Sequence, residues 1–314
     1  MILPGIQLEK LCAEACKEIL LVAPFIKASV LKQLLGQISS QVTVKCVTRW
    51  QPEEILAGVS DLEVWSLLKQ RPQSFLWLRP DLHAKYYRAD DRCLVGSANL
   101  TAKALGWSNL SNFELLIQLP ATQPNLQIFE TELFKGCIQV DESLFKQMSA
   151  TLQLLTEQYP KQLSNVSINP DSLQEDLVPM KAWLPTLRNP EDLYLAYSGQ
   201  EDKLTLTARD AAAQDLRSLS VIPNLTKKAF IAYVGIILLQ KPIIQQVDSL
   251  VTTPQRFGAV RDLLASLPCA KFPNFHADRA WQTLMRWLLY FLRNRYAISV
   301  PNYSEVFYRL ETYE

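Results

Sequence analysis

Along the first 140 residues, short continuous apolar runs alternate with stretches in which apolar positions recur every three or four residues. The run ILLVAPFI at 19–26 reads as a strand buried on both faces, 28–38 as an amphipathic helix and 42–48 as a second strand. Pro52 opens a helical stretch toward Leu68, and 74–78 is a third strand. Residues 83–88 and 93–95 follow as two short strands joined by a tight turn at Ala89-Asp90-Asp91. A helix begins after Asn99, a strand runs over 112–119, and a helix covers 124–135. Strands and helices in this alternation predict an α/β fold, a sheet with both faces covered by helices.

The pattern changes after residue 140. Residues 137–188 are more polar and are broken by Pro160, Pro170, Pro179 and Pro185, which reads as a connection rather than a packed unit. Residues 193–207 predict a hairpin, and from Arg209 the periodicity is helical to the end. The expected organisation is a domain at 1–140, a connector at 141–208 and a mainly α-helical domain at 209–314.

Composition bounds the class. Apolar residues make up 48% and charged residues 20%, which excludes a disordered or fibrous chain. Lys plus Arg number 32 against 31 Asp plus Glu, a near-neutral total that hides an uneven distribution. Residues 1–146 hold 15 basic and 15 acidic side chains, 157–215 hold 5 and 10, and 217–309 hold 12 and 4. The last segment is therefore strongly basic. Charges interrupt the N-terminal apolar stretch at Glu9, Lys10, Glu14, Lys17 and Glu18, unlike a signal peptide, and the run 229–239 is too short to span a bilayer. The expectation is a cytoplasmic protein without membrane contact. The six cysteines form no CxxC pair, so neither a zinc knuckle nor a disulfide framework is indicated. Cys12 and Cys16 lie one helical turn apart; small apolar core residues are the simpler reading of that spacing than a redox pair.

Only two histidines occur, His83 and His276. His83 stands in Leu82-His83-Ala84-Lys85, followed by Asp90 and then Gly96-Ser97-Ala98-Asn99. On extended chain, i and i+2 share a face, so His83 and Lys85 project together. An imidazole beside a fixed ammonium suits attack on an anionic phosphorus centre whose oxygens the cation holds. Ser97 and Asn99 add a hydroxyl and an amide at a turn made tight by Gly96. No carboxylate cluster accompanies them to hold Mg²⁺, so the chemistry reads as free of metal and cofactor.

This string resembles the HxK…D…GSxN signature of the phospholipase D superfamily, the HKD motif, at His83, Lys85, Asp90, Gly96, Ser97 and Asn99. Five residues separate Asp90 from Gly96 where many relatives have six, so the hairpin is expected to be one residue tighter. The resemblance spans about residues 1–140. It implies a phospholipase D-like mixed sheet flanked by helices and a phosphodiesterase with His83 as nucleophile, forming a phosphohistidine. Lys85 and Asn99 would hold the phosphate oxygens, with Ser97 in support. Asp90 would bond across the turn, and Glu114 would accept the other imidazole N–H. Such chemistry takes two histidines, one attacking and one protonating the leaving oxygen. His276 lacks the Lys and GSxN context, so a homodimer formed through the catalytic domain is expected to bring two copies of His83 together. The Tyr86-Tyr87 pair reads either as a base- or glycerol-stacking surface or as sheet packing.

In the basic C-terminal part, 242–250, a break at 251–253 and 254–267 read as helix, turn, helix, with Thr253 as N-cap and Pro254 at N1. Gln255, Arg256 and Arg261 would then sit near the start of a DNA-reading helix. Over 278–293, Arg279, Arg286 and Arg293 recur every seven residues, either tracking phosphates or forming a solvated face. Together these features point to a homodimeric, metal-independent DNA nuclease of the kind found in restriction or anti-phage defence, with other defence-system proteins as further partners. The alternatives are a phospholipid phosphodiesterase or phosphatidyltransferase, and a non-catalytic DNA-binding subunit.

Overall fold

The structure, a computed structural model, describes residues 2–158, 182–271, 275–301 and 305–310. The chain divides into two compact units, the first built on Met1–Phe145 and the second on the described residues from Lys146 onward.

The first unit runs α1 (Pro4–Ala13), β1 (Glu18–Val22), α2 (Ala28–Leu35), β2 (Thr43–Thr48), α3 (Pro52–Leu56), α4 (Glu63–Lys69) and β3 (Ser74–Leu78). It continues through β4 (Tyr86–Ala89), β5 (Arg92–Gly96), α5 (Ala102–Leu105), β6 (Leu116–Pro120), α6 (Pro124–Lys135), β7 (Ile138–Gln139) and the start of α7 (Glu142–Gln158). Seven strands form one mixed sheet in the order β6-β5-β4-β1-β2-β3-β7. The β1, β2 and β3 strands are parallel and the flanking pairs antiparallel, so helical crossovers give way to hairpins toward the β6 edge.

The central strand β1 is apolar at every position after Glu18 because both its faces are covered. Leu20 and Val22 point to one face, where Val47, Tyr86 and Cys93 join Leu133 of α6 and the partly buried Phe129 and Phe134. Ile19 and Leu21 point the other way. On that side Cys46 of β2 meets Cys12 of α1, two thiols whose pKa burial raises. All six cysteines are free. Full burial of a side chain such as Ile19 or Leu21 stabilises by about 1.5–3 kcal/mol, which is why this strand sits at the sheet's centre.

Several elements of this unit differ from the sequence pattern: the strand expected over 19–26 is β1, ending at Val22, and the one expected over 112–119 is β6, beginning at Leu116. The strand expected over 83–88 begins only at Tyr86, because its partner β1 ends at Val22, opposite Tyr86, and leaves the sheet at Pro24. The helical stretch from Pro52 is two helices, α3 and α4, separated at Gly58, whose φ of 72° is left-handed.

The second unit holds the rest of α7, α8 (Asp192–Tyr197), α9 (Leu206–Leu219), α10 (Lys227–Leu239) and α11 (Pro242–Leu250). Then come β8 (Gln255–Arg256), α12 (Phe257–Ser266), α13 (Ala277–Phe291), β9 (Tyr296–Ser299) and β10 (Val306–Arg309). The hairpin expected at 193–207 is absent; Leu193, Ala196 and Tyr197 share a helical face in α8, with Leu193 and Ala196 buried. The helix expected from Pro254 starts three residues later. Gln255 and Arg256 are drawn into a three-stranded sheet by pairing with Phe307 and Val306, and Arg256 rather than Thr253 is the N-cap. No single helix among the described residues is long and apolar enough to cross a membrane.

Candidate active site

Extended chain at His83–Lys85 enters β4, a two-residue turn at Asp90-Asp91 leads into β5, and the chain leaves β5 at Gly96. His83 and Lys85 therefore sit at the same end of the hairpin as Gly96 and Ser97. These four residues line an open cleft of about 500 Å³, whose other walls are Ala84, Tyr86, Val95 and, from α6, Leu126 and Phe129. His83 is exposed, and its ring makes no hydrogen bond among the described residues. Lys85 donates from Nζ to the His83 carbonyl at 2.7 Å, which bends the ammonium back toward the histidine's own backbone. Burial holds the Lys85 pKa below the usual lysine value, the Arg49 charge pushes the same way, and Glu114 opposes both.

The turn after β5 is clamped to β6. The Ser97 amide donates to the Leu115 carbonyl at 3.0 Å, and the Leu115 amide donates to Ser97 Oγ at 3.1 Å. Gly96 makes this possible: a Cβ there would lie 1.8 Å from the Leu115 carbonyl oxygen. The hydroxyl of Ser97 donates to Glu114, whose other oxygen accepts from Asn112 Nδ2 at 3.1 Å. No hydrogen bond joins Glu114 to the His83 ring, so the carboxylate is held by Ser97 and Asn112 instead. Asn99 is half-buried two residues beyond Ser97 and does not line the cleft; its Oδ1 is buried without a partner among the described residues.

Asp90 lies at the opposite end of β4. Rather than bonding across its own turn, it accepts the amides of Cys16, Lys17 and Glu18 at 2.8, 3.0 and 3.0 Å, tying the hairpin tip to the entry of β1. Burial works to raise its pKa, but the three amides outweigh that and hold it below the usual value. Its φ of 52° is a left-handed value that Asp tolerates better than most residues. The tight hairpin expected from the short Asp90–Gly96 spacing thus forms with Ala89 opposite Arg92.

Arg49, beside this site, carries no local sequence signal, whereas Tyr86 and Tyr87 stand within the motif string. Arg49 follows β2 and donates from Nη1 to the Leu82 carbonyl at 3.3 Å, one residue ahead of His83. It forms a two-pronged ion pair with the buried Glu54 and stacks over Phe25 at 5.5 Å. Tyr87, fully buried, donates its hydroxyl to the Ala98 carbonyl at 2.6 Å and so fixes the Gly96–Asn99 turn from beneath. Tyr86 packs edge-on against Phe129 and donates to Glu130 at 2.6 Å, which also takes Arg88 at 2.7 Å. Both tyrosines are thus sheet-packing residues. Among the described residues, no three His, Cys, Asp or Glu side chains gather where they would hold a metal ion.

In the second unit, Gln255 and Arg256 lie in β8. Arg261 of α12 pairs with Asp262 and, at 3.9 Å, with Asp278. Arg279 and Arg286 are exposed on α13, and Arg293 is exposed just beyond that helix. His276 is the N-cap residue of α13 and makes no side-chain cap hydrogen bond.

No protein-family model matches the sequence, and no curated protein is similar to it. Among solved structures the chain is similar to NucT from Helicobacter pylori, at 14% identity and a TM-score of 0.35, over 43% of this chain and 89% of that one. It is similar to Nuc from Salmonella typhimurium, a phospholipase D family member, at 15% identity and a TM-score of 0.34, over 44% and 90%. A third is the phosphatidylserine synthase of Haemophilus influenzae Rd KW20, at 13% identity and a TM-score of 0.38, over 49% and 41%.

Proposed function

We propose that the first unit is a phospholipase D-like phosphodiesterase and that its substrate is DNA. The observation that carries this reading is the convergence of His83, Lys85 and Ser97 on one cleft, in the order of the HKD motif. A nitrogen of the exposed His83 ring forms a bond to phosphorus as the bond to the leaving oxygen breaks, giving a phosphohistidine. The Lys85 ammonium, close enough to bond the His83 carbonyl, faces the negative charge that grows on the non-bridging oxygens. The leaving oxygen takes a proton from a second imidazole; water then gives a proton to that imidazole, attacks phosphorus and breaks the P–N bond. That second imidazole is His83 of another copy of the chain.

Support for a two-chain site comes from the sheet edge beside the cleft. Leu110 and Phe113 are 80% and 94% exposed, and Leu115 and Ile117 are each about half exposed, on the chain that carries Glu114 and on the edge strand β6. Such an apolar stretch on an open edge is a liability unless a second copy covers it. The net charge of +8 over 217–309 favours a nucleic acid over a lipid.

The test is incubation of the purified chain with plasmid in EDTA. Nicking or cutting that disappears in His83→Ala supports the reading; an inert wild type overturns it, and an inert protein that still binds the plasmid is a non-catalytic DNA-binding subunit. One observation favours a second reading: Val95, Leu126 and Phe129 give the cleft an apolar wall that suits a lipid glycerol. Exchange of choline or glycerol on phospholipid vesicles by the wild type, lost in His83→Ala, would establish it.

A further inference from the structure

The C-terminal elements of the second unit follow one another as helix, strand, helix, helix, strand, strand: α11, β8, α12, α13, β9, β10. The sheet order is β8-β10-β9, so the terminal hairpin closes back on the strand that leads into α12. This is the connectivity of a winged helix-turn-helix, in which α12 and α13 are the paired helices.

Two features fix the orientation of α13. Asp248 of α11, almost wholly buried, takes both Arg295 Nε and Nη2 at 2.8 Å, the Tyr296 hydroxyl at 2.6 Å and Arg309 Nη1 at 3.2 Å, locking β9 and β10 to α11. Trp281 of α13 packs edge-on against Phe307 of β10 at 5.1 Å, and Trp281, Leu284 and Leu288 are fully buried. The helix cannot roll without unpacking that row. Its opposite face, with Arg279, Gln282 and Arg286 at i, i+3 and i+7, is therefore held in solvent. Neither arginine has an ion pair or side-chain hydrogen bond among the described residues, nor does Arg293 beyond the helix end. By contrast, α12 exposes Ala259, Asp262, Ala265 and Ser266, and its one arginine is neutralised by Asp262.

We propose that α13 is a recognition helix that enters the major groove of B-form duplex DNA, with Arg279, Gln282 and Arg286 meeting base edges and the flanking phosphates. A helix ~10–12 Å across matches a groove ~12 Å wide. The major groove of duplex RNA is too narrow for it. The exposed positions Arg279, Gln282 and Arg286 offer guanidinium and amide groups, the two chemistries that pair bidentately with guanine and adenine, while Leu289 and Tyr290 one turn on are half-buried. The proposal rests on DNA as the ligand but not on the chemistry at His83.

Binding of a fluorescent DNA duplex is measured by anisotropy across a salt series, with the full chain carrying His83→Ala so that no cleavage intervenes. Adding Arg279→Ala and Arg286→Ala weakens binding by about tenfold or more and flattens the log K against log salt slope by about one per lost phosphate contact. Adding Arg261→Ala leaves both unchanged. Equal affinity and slope in the double-arginine variant overturn the proposal, as does equally tight binding of an RNA duplex of the same length. With His83 intact, hydrolysis of bis(p-nitrophenyl) phosphate by the double-arginine variant matches wild type, which isolates the loss to binding. Duplex binding that needs α13 in a chain that cuts no DNA defeats the nuclease reading alone; cutting with unchanged affinity in the variant defeats this proposal alone.

Discussion

The Ser97 hydroxyl donates to the Glu114 carboxylate while its oxygen accepts the Leu115 amide at 3.1 Å, so one small side chain joins the motif's turn to the edge strand β6. Removing it frees both partners at once. Glu114 is only partly buried and water replaces the lost donor there, so Ser97→Ala costs stability by about 1 kcal/mol. The turn loses its registration against the cleft, and kcat falls about fivefold, the rate equivalent of about 1 kcal/mol. Chemical denaturation beside steady-state kinetics checks both; unchanged kcat with lowered stability would leave Ser97 a purely structural residue.

The charges around Lys85 predict opposite shifts in the alkaline limb of activity. In the proposed reaction the ammonium form holds phosphate; burial first, then Arg49, lowers its pKa, while Glu114 raises it. Activity is therefore lost, as pH rises, earlier than an ordinary lysine would allow. Glu114→Gln removes the opposing charge and moves the limb to lower pH; Arg49→Gln moves it to higher pH. Because Arg49→Gln strands the buried Glu54 at a cost of about 3–5 kcal/mol, the double variant Arg49→Gln/Glu54→Gln is measured alongside it. Shifts in the same direction for Glu114→Gln and the double variant would refute the account.

What the sequence made legible followed from whether the determining contact was local. The bounds of α6 and α11 are readable because Pro124 and Pro242 occupy their first turns. The β3 strand is readable with its bounds, 74–78, because turn residues at Pro72 and Pro80-Asp81 bracket its run. Where a distant partner decides, the pattern misleads. The chain at 83–85 has strand composition but no strand beside it after Val22, and 255–256 becomes β8 only because β10 returns some fifty residues later. The cleft shows the same division. His83, Lys85, Gly96 and Ser97 fall within fifteen residues and read as a motif, whereas Phe129 reaches the cleft from α6 and Arg49, just after β2, braces the Leu82 carbonyl beside it.

Gly96 tests whether close approach of β5 to β6 matters to the site. With a Cβ 1.8 Å from the Leu115 carbonyl oxygen, Gly96→Ala must push the strands apart, costing about 1–3 kcal/mol and displacing Ser97. Activity falls with it. Gly58→Ala is an informative control: its φ is also unfavourable to alanine, but a Cβ there meets nothing within 4 Å, so it costs stability without touching the cleft. Equal kcat losses in the two variants would mean that the close approach at Gly96 has no special role.

In the second unit, Asp215 of α9 is fully buried and accepts the Thr186 amide at 3.0 Å and the Leu187 amide at 2.8 Å, while the Leu187 carbonyl accepts from Trp287 of α13 at 2.7 Å. Burial pushes the Asp215 carboxyl up to about 7, against the pull of these backbone donors. An unfolded aspartate loses its proton near pH ~3.9, so between that pH and about 7 the native state holds a proton that the unfolded state has released. Stability therefore falls as pH rises through this window, by up to about 4 kcal/mol, and levels off above it. Thermal unfolding at pH 5 and pH 8 is expected to show a lower midpoint at pH 8 for the wild type. In Asp215→Asn, which cannot ionise and keeps one acceptor for the Thr186-Leu187 amides, the gap between the two midpoints narrows. A gap of the same size in both proteins would show that Asp215 remains charged throughout, with its amide donors outweighing its burial.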